Sequence, residues 1–208
     1  MEVTVQQDTA TQPEITQRAI QVDTPQRNAL LRHLIAQEGW QRVLVFVATK
    51  YAAEMVADKL RRAGLQAEPF HAQLSQGKRS QVLADFKSSA ILVMVATDVA
   101  ARGIDIQALP VVVNYDLPRS ASDYTHRIGR TARAGATGLA VSFVSADTES
   151  HFRLIEKRQR QDVPREQVAG FAPKAAAAPT ATAGGGIKGR RPSKKDKLRA
   201  AGLLPPLV

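Results

Sequence analysis

A chain of 208 residues that is 44% hydrophobic, 23% charged and free of cysteine has the composition of one soluble domain with an appendage. The missing cysteine excludes a disulfide scaffold, a cysteine zinc site and a thiol nucleophile, and the apolar run 91–96 falls far short of the ~20 residues that cross a bilayer. The net charge of +10 is uneven: residues 1–150 hold 16 Lys and Arg against 15 Asp and Glu, and residues 151–208 hold 13 against 4. A nearly neutral body with a basic C-terminal part points to a polyanion such as nucleic acid, the plainer alternative being a solubilising tail. The first fourteen residues contain no Lys or Arg and no apolar stretch, so no signal peptide is expected and a cytoplasmic location is the default.

In chain order, residues 15–22 alternate with the period of a strand. Asp23, Thr24 and Pro25 offer a cap and a first-turn proline to a helix carrying Leu30, Leu31, Leu34 and Ile35, which Gly39 ends. Residues 43–48 (VLVFVA) are continuously apolar, as a strand buried on both faces must be. A helix over 50–63 comes next, with Ala52, Ala53, Val56 and Leu60 at helical spacing and Gly64 at its end. A short strand over 67–70 precedes a helix that opens at Ser75 and carries Val82, Leu83 and Phe86. Residues 91–96 (ILVMVA) and 111–115 (VVVNY) are two more buried strands, Ser120 and Asp123 form a capping box for the next helix, and 139–144 is a strand before a helix with Phe152, Leu154 and Ile155. Apolar strands alternating with helices predict an α/β fold, a doubly wound parallel sheet with helices on both faces. In such folds ligands lie beyond the carboxyl ends of the strands, which directs attention to Thr49, to Thr97 and Asp98, and to the residues just after Val113.

Four clusters carry chemistry. In residues 126–133 (HRIGRTAR), Arg127, Arg130 and Arg133 recur every third residue, so a helical segment places them along one side. Guanidiniums converging there suit a phosphate, whereas a solvated basic helix face is the structural alternative. Residues 96–105 (ATDVAARGID) place Thr97 and Asp98 directly at a strand end, succeeded by Arg102, Gly103 and Asp105, the last a short acceptor suited to a ribose hydroxyl. Thr49 and Lys50 end another strand, with a plain cap as the alternative, and Gln76 and Arg79 lie on the helix that Ser75 opens, where a backbone phosphate can approach. No G-x-x-x-x-G-K-[ST] loop occurs, and the G-x-G-x-x-G match at 184–189 comes after no strand and precedes Pro192, so it is a chance match. His33, His71 and His151 have no metal-ligand spacing.

The stretches VLVFVATK (43–50), FHAQLSQGKRSQVLADFK (70–87), VATDVAARGIDI (95–106), VVNYDLP (112–118) and YTHRIGRTARAG (124–135) resemble the C-terminal RecA-like half of DEAD-box ATP-dependent RNA helicases. The resemblance spans residues 15–173 and looks most like the bacterial members. It implies that Arg130 and Arg133 act as arginine fingers, that His126 and Arg127 link the nucleotide site to the other domain, and that Asp105 binds the ATP ribose with Arg102 in the same cleft. It implies further that Thr49, Gln76, Arg79, Thr97 and Gly103 line an RNA track, reading phosphates and 2′-hydroxyls rather than bases. Two alanines depart from the family pattern. Ala72 and Ala132 stand where glycine is usual, and an alanine is expected to keep negative φ; a left-handed backbone at 132 would put the placement of Arg133 in question.

The resemblance implies ATP with Mg²⁺ as cofactor, shared with an N-terminal RecA-like domain that carries the phosphate loop and the Asp-Glu-Ala-Asp metal site. Neither motif is in this sequence, and Met1 falls near the family's interdomain linker. The expectation is therefore half an enzyme, inactive alone, with no metal ligand of its own. Its expected partners are single-stranded or duplex RNA and the N-terminal domain, with no membrane. A non-enzymatic RNA-binding module is the alternative. The expected organisation is a linker or disordered N-terminus over 1–14, the RecA-like domain over 15–168, a flexible linker over 169–187 and a basic tail over 188–208.

Overall fold

Seven strands and six helices alternate along the chain in a computed structural model that describes residues 15–174 except 103, 105, 107 and 133–136. The strands are β1 (Ile15–Gln21), β2 (Val43–Val47), β3 (Ala67–Phe70), β4 (Val93–Thr97), β5 (Val111–Asn114), β6 (Gly138–Val144) and β7 (Arg165–Glu166). The helices are α1 (Arg27–Gln37), α2 (Lys50–Arg62), α3 (Gln76–Lys87), α4 (Asp98–Ala101), α5 (Ala121–Ile128) and α6 (Glu149–Gln159). One sheet of order β3-β4-β2-β5-β6-β1-β7 holds them, every pair parallel.

The apolar runs explain why this sheet has two covered faces. Every residue of β2 is buried, and its side chains alternate between layers. Val43, Val45 and Val47 join Leu30, Leu31 and Leu34 of α1 and Val56 and Leu60 of α2 on one face. Leu44 and Phe46 join Phe86 of α3 and Ala100 of α4 on the other, while Tyr124 and Ile128 of α5 and Phe152 and Ile155 of α6 close the far end over Ala19, Ala140 and Val144. At ~1.5–3 kcal/mol for each large apolar side chain taken from water, these layers dominate the folding energy. Among the described residues no helix is long and apolar enough to cross a membrane.

Three helix starts, those of α2, α3 and α5, are capped by a side chain. The hydroxyls of Thr49, Ser75 and Ser120 accept the backbone N–H of Ala52, Lys78 and Asp123. Asp23 does not cap. Pro25 has no N–H to offer it, and the Gln26 N–H goes to the Asp23 carbonyl, so a 3-10 turn (Thr24–Gln26) precedes α1. The Asp23 carboxylate takes the Lys174 N–H at 2.8 Å instead. The strand expected from Ile91 starts at Val93, because the Ile91 N–H turns back to the Asp85 carbonyl. Past β7, Val168 and Phe171 pack on the α1 and α2 layer, and the Phe171 ring lies 5.2 Å from that of His33. The expected N-terminal linker and basic tail lie outside the described residues.

Candidate functional site

The polar residues that end the apolar strands all emerge on the carboxyl edge of the sheet. The central one is Arg127 on α5, 2% exposed. Its Nε and Nη2 donate to the two Asp98 carboxylate oxygens at 2.6 and 2.8 Å, and its Nη1 donates to Asn114 Oδ1 at 3.1 Å and the Asp116 carbonyl at 2.6 Å. The guanidinium also stacks 4.8 Å from the centroid of Phe46. This one side chain ties together the ends of β4, β5 and β2. A parallel tie runs beside it: buried Arg27 donates to Asp116 Oδ1 and to Ser145 Oγ, each at 2.8 Å, and the Ala48 N–H donates to Asp116 Oδ2 at 2.9 Å.

Between α4 and α5 lies a small open pocket of about 20 Å³, lined by Phe46, Ala101 and the polar set Asp98, Arg102, Asp123, His126, Arg127 and Arg130. Asp98 neutralises Arg127. Arg102 donates to the Asp123 carboxylate at 2.6 Å, and the Ser120 hydroxyl and that guanidinium hold the Asp123 carboxyl below its ordinary value. Arg130 stands half-buried on the turn after α5 and donates from Nη1 to the Ile104 carbonyl at 3.0 Å. Three arginines thus face two carboxylates, an excess positive charge at the carboxyl edge of the sheet.

The expected stripe of arginines along one helix side does not form, because α5 ends at Ile128. Arg127 turns inward to its carboxylate, while Arg130 lies beyond the helix, and the two meet again at the pocket. The turn after α5 is locked by an isolated pairing of Leu109 with Thr131 and by the Leu109 N–H on the Arg130 carbonyl. This lock corrects the expected negative φ at Ala132, which is left-handed at +54°. Gly138 packs so tightly there that a Cβ would lie 2.1 Å from Thr131 Oγ1. Ala72 keeps an ordinary negative φ. Arg133, Asp105 and Gly103 lie outside the described residues.

The remaining expected residues stand apart from the pocket. Thr49 and the α3 residues Gln76 and Arg79 come after β2 and β3, and Thr97 is the last residue of β4, three neighbouring strands. Thr49 and Gln76 are exposed, and Arg79 stacks 5.4 Å from the Phe70 centroid. The Thr49 hydroxyl accepts from Ala52 at 3.1 Å and keeps its own proton to donate. Among the described residues no three of His, Cys, Asp and Glu gather to hold a metal. Sequence reasoning missed Phe46, Asn114, Asp116 and Arg27; the polar pair Asn114 and Asp116 on either side of Tyr115, right at a strand end, was the available signal.

Residues 26–135, just over half of the chain, match the model of the helicase conserved C-terminal domain. The chain belongs to the helicase C-terminal domain family. Within it the similarity is to DEAD-box proteins. The chain is 41% identical over 145 residues to the ATP-dependent RNA helicase DBP2 of Candida glabrata, covering 67% of this chain and 27% of that protein. It is 39% identical over 155 residues to the DEAD-box ATP-dependent RNA helicase CshA of Geobacillus kaustophilus, covering 74% and 33%. Its fold superimposes on Escherichia coli SrmB, solved bound to regulator of ribonuclease activity A, with a TM-score of 0.74 at 35% identity over 79% of this chain and 97% of that one. This helicase C-terminal domain therefore spans about a quarter to a third of the length of the curated relatives it matches.

Proposed function

We propose that the chain acts as the C-terminal half of an ATP-dependent RNA helicase, closing against an N-terminal RecA-like domain over ATP and single-stranded RNA. The observation that carries this reading is the α4–α5 pocket, where Arg102, His126, Arg127 and Arg130 gather at the carboxyl edge with an excess of positive charge. At about 20 Å³ it is far below the ~300–1,000 Å³ of complete small-molecule sites, so it suits a single charged group of a nucleotide and leaves the rest to a facing surface. ATP with Mg²⁺ supplies the phosphoryl group and its leaving diphosphate. The residues here orient and neutralise: Arg130, with Arg133, meets the charge that develops on the transferred group, and Arg102 exchanges Asp123 for a phosphate oxygen. Asp105 takes the ribose, and His126 and Arg127 hold the pocket in register with the other domain. A finger of this kind is worth ~10³ to 10⁵ in rate.

RNA lies, in this reading, across the ends of β3, β4 and β2, held by Thr49, Gln76, Arg79, Thr97 and Gly103. The two outer strands of that set are ~10 Å apart at the usual strand spacing. Contacts from hydroxyl, amide and guanidinium groups to phosphate and 2′-hydroxyl bind RNA with little preference for sequence. ATP hydrolysis with and without single-stranded RNA tests the proposal. The chain alone should give no turnover above Arg130→Ala. Supplied with a DEAD-box N-terminal domain, it should hydrolyse ATP when RNA is present and lose ~10³-fold or more on Arg130→Ala. RNA-stimulated turnover by the chain alone, abolished in that variant, would overturn the reading of a half-site.

A further inference from the structure

Helix α6 distributes its charges the reverse way from a solvated surface helix, which mixes both signs on its outer face. Its two acids point inward: Glu149 and Glu156 are 7% and 8% exposed, and both accept from Arg165. Its cations point outward. Arg153, Lys157 and Arg158 are exposed, as is Arg160 at the C-terminal end, and Leu154 stands among them 61% exposed. Arg153 and Lys157 are one helical turn apart on one row, and Leu154 and Arg158 form the adjacent row. Cations in the last turn complement the helix dipole, which accounts for Lys157 and Arg158, and Arg153 reaches back from Nε to Glu149 at 2.9 Å while its guanidinium stays exposed; neither accounts for the exposed leucine between the rows. At Arg160 the backbone is left-handed, φ +53°, where glycine is favoured, yet an arginine occupies it.

The patch continues to the carboxyl edge. His151 on the first turn of α6 lies against the Pro118 carbonyl at 2.7 Å, next to exposed Arg119. Gln159 bridges to Thr125 of α5 at 2.8 Å, and the exposed α5 residues there, Ser122 and Thr125, are uncharged. Asp162, beyond Arg160, is the one exposed carboxylate within the segment 151–162 against four exposed cations, and exposed Arg119 and Asp147 stand at the head of the helix. In the sheet, β6, which leads into α6, lies two strands, ~10 Å, beyond β2 of the proposed RNA track, and α6 packs over that strand with its cations turned outward.

We infer that the outer face of α6, with Arg119 at its head, is a second anchor for the RNA backbone, engaging the flank of a strand whose centre lies in the track. The inference rests on the proposed RNA track. Arginine and lysine one turn apart contact successive phosphates, and Leu154 packs against sugar or base. Such contacts are independent of sequence and release counterions, so they show in the salt dependence of binding.

The test uses the full chain and its Arg153→Gln/Lys157→Gln/Arg158→Gln variant. All three side chains are exposed, and Glu149 keeps Arg165 when Arg153 is neutralised. Binding is read by fluorescence anisotropy over a series of salt concentrations, with one RNA of ~6 nucleotides that fills the track alone and one of ~25 that reaches α6. On the longer RNA, the triple variant should reduce the slope of log affinity against log salt by about 2 and weaken binding by ~tenfold or more at 0.1 M salt. On the shorter RNA it should match the unaltered chain, while Arg79→Ala weakens both. Unchanged slopes on the longer RNA, with Arg79→Ala still weakening it, would overturn the anchor and leave the track standing. Loss of poly-glutamate binding with RNA binding unchanged would overturn it in favour of an acidic protein partner. An unaltered chain that binds neither RNA would overturn the anchor and the proposed function together.

Discussion

Replacing Arg127 by alanine should destabilise the fold itself and not only affect catalysis. The side chain is 2% exposed, makes four hydrogen bonds and stacks on Phe46. Hydrogen bonds from a charged group contribute ~1.5–3 kcal/mol each in isolation, but they share one desolvation cost, so they do not add. Breaking a buried pair typically costs ~3–5 kcal/mol. Here the Asp98 side chain is 29% exposed and can be rehydrated, which places the loss at the lower end, ~3 kcal/mol. For a domain of this size that corresponds to a fall in Tm of ~6–12 °C. Urea unfolding tracked by circular dichroism measures it, with an unchanged m value showing that the unfolded state is the same. Arg127→Lys keeps the charge but not the fork, and should recover less than half of the loss. Arg130→Ala, removing a half-buried side chain with one bond to a carbonyl, should stay within ~1 kcal/mol of the unaltered chain. An Arg127→Ala chain within ~1 kcal/mol of the original would refute the reasoning, because the buried ion pair would then contribute nothing.

The other predictions concern strain and titration. Ala132→Gly should stabilise the chain by ~0.5–1 kcal/mol in the same unfolding assay, since it relieves an alanine at φ +54°, whereas Gly138→Ala, driving a Cβ into Thr131 and the Ala132 nitrogen, should lose ~3 kcal/mol or fail to fold. Burial pushes the Tyr115 phenol from 10 up to about 12, with the Asp116 charge adding to the shift. The neutral phenol is thus favoured in the fold: its stabilisation is complete below pH 10, is lost as pH rises towards 12, and should disappear as a pH-dependent slope in Tyr115→Phe. For Glu149 and Glu156, burial is the largest influence and acts to raise the carboxyl, but Arg165 together with Arg153 on Glu149 and with the Val163 N–H on Glu156 outweighs it, so both stand below their ordinary 4.5. Their contribution is therefore present above pH ~4.5 and lost as acid protonates the folded carboxylates. Arg165→Gln should be less stable than the original at pH 7, and the gap should narrow below pH ~4 when stability is measured at both values.

Much of the architecture was written locally. The runs at 43–48 and 91–96 are apolar at every second and every intervening position, which only a two-sided sheet can bury. Thr49, Ser75 and Ser120 sit where a helix needs an oxygen for its first free N–H groups, and each serves that purpose. Gly39 and Gly64 take the positive φ expected where helices stop. With parallel strands established, topology alone directed attention to the carboxyl edge. The failures were local signals overruled by a neighbour. Asp23 reads as a cap but Pro25 withholds the donor, and Ala132 reads as a residue of negative φ but the pairing of Thr131 with Leu109 forces the turn.

The sequence by itself determined the outcomes that short-range chemistry decides: which segments are strands or helices, where they begin, and which polar residues end them. Only the tertiary structure decided which arginine serves the fold and which faces the pocket. Arg127 and Arg130 are three residues apart and chemically identical, and no spacing distinguishes them. Arg127 is buried because Asp98, 29 residues away, arrives at its side with a carboxylate. Arg27 meets Ser145 across 118 residues for the same reason. A guanidinium leaves water only where partners from distant strands replace its hydration, and the strand order that brings those partners is a property of the assembled sheet.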